Sequence, residues 1–296
     1  MNLRDSKETC YKWIFATLAF SSLVFLLGIT IILFKEGLPI FKEVSFLKFI
    51  FGRSWYPTYD PPDFGILPLI LASFWVTLGA LFVCVPLGVG SALYLHELAN
   101  ARQRAILKPL IEILASIPSI VYGFFGMVIV APFIQKLFNI PVGQTAFTGS
   151  LLLGVMATPT ICSLTEDALH SVPKSFRDAS YALGANRWQT LTQVVIPSSG
   201  SGISTAVILG ISRGIGETMV VLMVCGGSAV IPNSFFQPVR PMTATIAAEM
   251  GEVVLGSLHY HSLFAIGLIL FLFTLVFNII AEIISRRYRL KLGLGR

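Results

Sequence analysis

Six apolar runs divide the sequence, and a chain built this way can fold only in lipid. They extend from Trp13 to Phe34, about Leu67 to Leu95, about Leu110 to Ile134, about Thr148 to Leu164, about Gly202 to Gly226 and about Ser262 to Ile284. About 20 apolar residues in a helix cross the hydrocarbon core. Lipid offers the backbone no hydrogen bonds, so each peptide group must be satisfied within its own helix. The expected fold is an all-α polytopic membrane protein with six transmembrane helices. Composition points the same way: 55% of the residues are hydrophobic and 12% are charged, against about 25% charged in soluble domains. The net charge of +6 comes from basic residues spread along the chain and enriched at its ends, not from a nucleic-acid-binding patch. Cys10, Cys84, Cys162 and Cys225 form no C-x-x-C pair and read as packing residues. The first run is too long for a signal-peptide core and reads as a retained anchor.

Basic residues orient the spans. With the N-terminus inside, the inner segments hold Arg4, Lys7 and Lys12, then Arg102, Arg104 and Lys108, then Lys174, Arg177 and Arg187, then Arg286, Arg287, Arg289, Lys291 and Arg296. The outer loops hold the shorter set Lys35, Lys42, Lys48, Arg53, Lys136 and Arg240. Both termini are therefore expected in the cytoplasm. Residues 1–66 then form an anchor helix with a long outer loop, and residues 67–296 the main transmembrane domain. In that loop Trp55, Tyr56 and Tyr59 suit an interfacial aromatic belt, and Pro57, Pro61 and Pro62 an ordered non-helical turn.

One polar, helix-prone stretch, Asp178 to Pro197, interrupts the apolar pattern on the inner side. Pro173 suits the first position of a helix. Phe176, Ala179 and Leu183 follow at helical spacing, and Gly184 is a natural stop. A second short helix places Trp188, Leu191 and Val195 on one face, and Pro197 closes it before the fifth span. Arg177, Asp178, Arg187 and Gln189 form a polar rim. Such a helix-turn-helix is suited to a partner's groove; an amphipathic loop resting on the membrane surface is the competing reading.

Arg213 follows Pro197 by 16 residues, which places it roughly 24 Å up a helix. An arginine at membrane depth costs about 2.5 to 3.5 kcal/mol on insertion scales and marks a functional candidate. Glu217 lies four residues on, on the same helical face. Gly214 and Gly216 leave room for close approach, and Gly210 with Gly214 makes a small-residue packing face. Arg213 is expected to meet an anion along a pathway, with Glu217 holding or releasing it; a buried pair that only fixes helix packing fits the same residues. Pro118 and Pro159 sit within the third and fourth runs, where prolines often mark broken helices beside transport routes. Ser116, Ser119, Thr158, Thr160 and Thr218 are candidate hydroxyls for an oxyanion.

The pattern Asp178-Ala179-Ser180, three residues, Gly184, nine residues and Val194-Val195-Ile196-Pro197 resembles the EAA loop of ABC importer permeases. Asp178 and Ser180 depart mildly from the family's Glu and Ala. The stretch Ile117 to Gly123, IPSIVYG, and Arg213 to Thr218, RGIGET, resemble the permeases of Pst-type phosphate importers. GLPIF at Gly37 to Phe41 and the run from Phe64 to Ala80 look more like their PstC-like branch. This resemblance covers residues from about 10 to 290. It implies a type I (MetI-like) permease core formed by the last five spans, with the coupling loop at about 164–197. It implies that Asp178, Ala179, Ser180, Gly184, Arg187, Trp188 and Pro197 engage the ATPase. It also implies that Arg213 and Glu217 act in phosphate transport. The implied partners are a second, PstA-like permease, a dimer of PstB-like ATP-binding subunits, and a periplasmic or lipid-anchored PstS-like phosphate-binding protein, in the inner membrane of a prokaryote.

The chain has no G-x-x-x-x-G-K-[ST] phosphate loop. ATP and Mg are therefore expected on the partner, with no cofactor, metal or catalytic residue on this chain. An importer of sulfate or molybdate fits the same charges. An ATP-independent secondary transporter is disfavoured by the absence of a repeat and by the lone deep carboxylate Glu217. An intramembrane enzyme is disfavoured because His96, His170, His259 and His261 lie at span ends or in loops.

Overall fold

In the computed structural model, which describes residues 3–291, helices carry most of the chain. Arg296, used above for orientation, lies outside the described residues, as do the last residues of the second domain. The order begins with α1 (Leu3–Gly37), a 3-10 turn at Leu38–Lys42, and α2 (Phe46–Phe51). A two-residue hairpin follows, β1 (Trp55–Tyr56) paired antiparallel with β2 (Asp63–Phe64). Then come α3 (Leu67–Leu93), a π-helical turn at Tyr94–Leu98, α4 (Ala101–Ser116), α5 (Ser119–Phe125), a π turn at Gly126–Val130 and α6 (Ala131–Phe138). The chain continues through α7 (Ala146–His170), α8 (Lys174–Ala182), α9 (Arg187–Thr190), a π turn at Leu191–Val195 and α10 (Ile196–Ile215). It closes with α11 (Met219–Val224), α12 (Met242–Glu249) and α13 (Leu258–Lys291).

Six helical stretches among the described residues are long and apolar enough to cross a membrane: Tyr11–Lys42, Leu67–Leu98, Ser119–Phe138, Ala146–His170, Arg187–Ile215 and Leu258–Ile280. The expected number holds, and two boundaries move. The third span starts at Ser119, not near Leu110. Residues from Leu110 to Ser116 belong to α4, which ends where Ile117 turns extended before Pro118. The ring of a proline disfavours helical backbone at the preceding residue, so Pro118 begins the span and does not kink its middle. The fifth span starts at Arg187 and stops at Ile215, so it lies about three to four turns nearer the N-terminus than expected.

The centre of the bundle is α7 against α3. Gly154 permits it: a Cβ there would sit 2.6 Å from that of Val83. Around this pair Ala72, Val76, Leu152, Leu153, Val220 and Val224 form one buried cluster. A second cluster sits at the end of the bundle away from the polar stretch and ties the first loop to the last span, through Ile40, Phe49, Trp55, Phe64, Leu263 and Ile266. Trp55 therefore lies in a core, 2% exposed, and not in the aromatic belt expected of it; its Nε1 donates to Glu249 at 3.1 Å. Tyr56 and Tyr59 are exposed and stack at 4.8 Å. The turn with Pro57, Pro61 and Pro62 joins β1 to β2. Cys84, Cys162 and Cys225 are buried free thiols. By contrast α1 leaves its apolar window unburied, with Trp13, Phe15, Phe20 and Phe25 facing outward. Such a surface is stable only in lipid or against another chain.

Candidate coupling element and polar passage

The interrupted polar stretch folds into a helical hairpin with identifiable caps. Pro173 occupies the N-cap of α8, one residue ahead of the expected first helical position. Gly184 ends that helix with φ +84. Its N–H donates to the Tyr181 carbonyl at 2.9 Å and that of Ala185 to the Ser180 carbonyl at 3.2 Å, a Schellman arrangement that needs the left-handed residue at Gly184. Asn186 and Gln189 then form a reciprocal capping box at the start of α9. The Asn-x-x-Gln spacing was available in the sequence as a helix-start signal. Ser180 and Thr190 hydroxyls meet across the hairpin at 2.9 Å, both buried.

The second arm differs from the expectation. Pro197 does not close a separate helix. It lies at the start of α10, directly after the π turn Leu191–Val195, so the arm runs on into the fifth span. Proline lacks the donor an α-helix needs, and the change of register at the π turn accommodates it. Leu191 and Val195 do not project toward a partner either: they are buried with Ala92, Leu95, Cys162 and Leu169. Leu183 (89% exposed), Trp188 (66%), Tyr181 and Phe176 carry the outward apolar surface. Asp178, Ala179, Gly184 and Arg187 are exposed beside them, while Ser180 faces inward. Arg177, placed in the polar rim by spacing, turns inward and pairs with Glu97 at 2.5 Å.

At the other end of α10, Arg213 stands in the last turn. Its guanidinium is exposed on the surface of this chain and donates to Thr160 Oγ1 at 3.1 Å. The helix ends at Gly216, so Glu217 is not on a continuous face with Arg213. No ion pair joins the two among the described residues. Glu217 instead caps the next helix, accepting from the N–H of Met219 at 3.2 Å. Its backbone carbonyl accepts from Thr243 at 2.7 Å. Glu217, Ser73, Thr77 and Thr243 line one small gap between α3, α10 and α12. Thr218 precedes α11 as its N-cap.

The remaining hydroxyls separate by place. Ser116 is on exposed α4 and donates to the Ile113 carbonyl at 2.7 Å. Thr158 donates within its own helix to Gly154 at 2.8 Å. Ser119 opens α5 and is half-buried. Thr160 is the one brought to Arg213. Ser73, Thr77 and Thr243 escaped the sequence reading because single hydroxyls in apolar helices carry no spacing signal. Asn278, which accepts from Ser212 at 2.6 Å, was legible as a lone amide in the last span. His259 and His261 bind Glu249 Oε2 and the Glu36 carbonyl, both at 2.8 Å. Among the described residues no group of three or more His, Cys, Asp or Glu could hold a metal ion.

The six spans thus carry a capped hairpin at one end of α10 and an exposed arginine beside a helix break at the other. Residues 84–290 match the family model described as binding-protein-dependent transport system inner membrane component, and the chain belongs to that family. A probable ABC transporter permease protein, YqgH of Bacillus subtilis, is 38% identical over 88% of this chain and 85% of its own length. Phosphate transport system permease proteins PstC are similar too. That of Mesorhizobium japonicum is 34% identical over 92% of this chain and 88% of its own. That of Haemophilus influenzae is 33% identical over 80% of each. Among solved structures, a chain of the inward-facing MetNI methionine ABC transporter aligns with TM-score 0.57 and 20% identity, covering 76% of this chain and 94% of that one. A chain of a bacterial alginate ABC transporter, in complex with an alginate-bound periplasmic protein, aligns with TM-score 0.64 and 16% identity, covering 95% and 96%. These two establish the fold: the type I importer permease, helical throughout its spans.

Proposed function

We propose that this chain is one of two homologous membrane subunits of an ATP-driven importer of inorganic phosphate. The observation that carries the coupling half of this reading is the hairpin at residues 174–190: Asn186 and Gln189 cap its second helix and Ser180 meets Thr190 across it, while Leu183 and Trp188 stand out unburied. Large apolar side chains on a rigid support are typical anchors for a partner's pocket. The partner is a dimer of ATP-binding subunits that holds ATP and Mg, and this chain supplies no catalytic group. Support for phosphate as the solute comes from the PstC relatives and from Arg213, whose guanidinium suits a tetrahedral oxyanion. A second, PstA-like permease completes the passage opposite Arg213. A PstS-like binding protein, periplasmic or lipid-anchored, delivers phosphate at the outer end. The excess of basic residues at the hairpin end supports a cytoplasmic hairpin and cytoplasmic termini.

Reconstitution of the four proteins in liposomes tests this. ATP-dependent uptake of labelled phosphate is expected, and Arg213→Ala removes most of it while the ATPase stays bound. Undiminished uptake in Arg213→Ala removes the arginine from the pathway. Uptake of sulfate or molybdate in preference to phosphate assigns the chain to another oxyanion importer.

A further inference from the structure

The coupling hairpin is fastened to the second span in two ways. Its second arm is fastened by apolar packing, since Leu191 and Val195 are buried with Ala92 and Leu95. Its first arm is fastened by charge. Arg177 of α8 reaches the π turn Tyr94–Leu98 that ends the second span, where one guanidinium nitrogen meets Glu97 Oε1 at 2.5 Å. The other lies 3.0 Å from His96 Nε2. Glu97 is 8% exposed; His96 Nε2 stands 3.6 Å from the same oxygen, which among the described residues is held by charge and not by an aligned hydrogen bond. His96 is itself braced edge-on by His170 at the end of α7, 5.9 Å between ring centres. The Ser180–Thr190 bond, by contrast, joins the hairpin only to itself.

We propose that Arg177 and Glu97 are positioning residues for transport: a strut that carries displacement of the coupling hairpin into the second span. A buried carboxylate with one cationic partner is strongly held, because separating the two leaves an unpaired charge away from water. The fork of Arg177 grips two consecutive residues of the turn, which fixes direction as well as distance. π turns interrupt α-helices frequently at functional sites, and here one receives the load. When the ATPase moves α8, the turn and the attached α3 move with it, whereas the exposed apolar knobs serve only to hold the ATPase. This inference rests on the proposed ATPase docking.

The test uses the reconstituted complex and reads phosphate imported per ATP hydrolysed. The paired substitution Arg177→Gln with Glu97→Gln removes both charges, so neither is left stranded. The expected result is an undiminished amount of bound ATPase, continued hydrolysis, and an import-to-hydrolysis ratio lower by about tenfold. The charge-reversed pair Arg177→Glu with Glu97→Arg is expected to restore a substantial part of that ratio. A wild-type ratio in the neutral pair overturns the strut. Loss of the ATPase from the neutral pair also overturns it, since the contact would then shape the docking surface. Absence of ATPase from the unsubstituted complex would instead refute the docking reading itself. If the neutral pair does not accumulate, Arg177→Lys is measured: it keeps the charge and loses the fork, and an unchanged ratio there overturns the strut equally.

Discussion

The two ends of α10 solve opposite problems. At its inner end the hairpin satisfies its turn and its second helix start locally. Gly184 ends one helix, Asn186 and Gln189 start the next, and Ser180 meets Thr190. Large apolar side chains stand exposed there, Leu183 and Trp188 most of all, with Asp178 and Arg187 exposed at their rim. At its outer end the helix stops at the Gly216 cap, and the large side chain exposed there is charged: Arg213, held within this chain by one hydroxyl. A rigid support with apolar tips is suited to permanent grip. A lightly held cation beside a helix break is suited to a transient ligand that must also leave. The contrast implies that changes at the inner end affect assembly, while changes at the outer end affect transport in a complex that still assembles.

The largest expected effect breaks that division at the inner end. Leu183→Asp combined with Trp188→Asp places charge where apolar anchors stand. Each anchor is worth about 2 kcal/mol or more, so ATPase recovered with the purified chain falls at least about a hundredfold, measured by co-purification. The chain should still insert, because neither side chain is buried in it. Next comes Arg213→Ala, with phosphate uptake down by about ten- to a hundredfold, as for loss of a charged hydrogen bond of roughly 1.5 to 3 kcal/mol. ATPase recovery should be unchanged; a joint loss of both would erase the distinction between the two ends.

Smaller effects sharpen it. Gly184→Ala meets no neighbouring atom, so its penalty is backbone strain alone, about 1 to 2 kcal/mol for a left-handed residue with a Cβ. The thermal midpoint should drop by about 2–4 °C, with weaker ATPase recovery and an unaltered import-to-hydrolysis ratio. Thr160→Val should have the smallest effect, about a threefold change in uptake for a net hydrogen bond near 0.5–1 kcal/mol.

Much of this was legible from residue order. Apolar runs gave the six spans, because bilayer thickness sets a length that composition must meet. Gly184 and the hairpin were legible because left-handed backbone selects glycine. The third span's start was misplaced because α4 carries Leu110, Ile111, Ile113 and Leu114, whose apolarity joined it to the true span; Pro118 was the signal that separates them. Reading Arg213 and Glu217 as a helical pair assumed that α10 continued, and Gly216 ends it. The inward turn of Arg177 could not be read, since its partner Glu97 lies 80 residues away and only tertiary packing brings them together.

The central claim is that an ATPase on another chain drives solute through this one by gripping residues 174–190. The most direct test is labelled-phosphate accumulation in liposomes carrying the full complex, with the Leu183→Asp and Trp188→Asp chain as control. Accumulation is predicted to require ATP and to vanish in that control together with bound ATPase. Accumulation by the control chain, or by the unsubstituted chain without any ATPase present, would contradict the account.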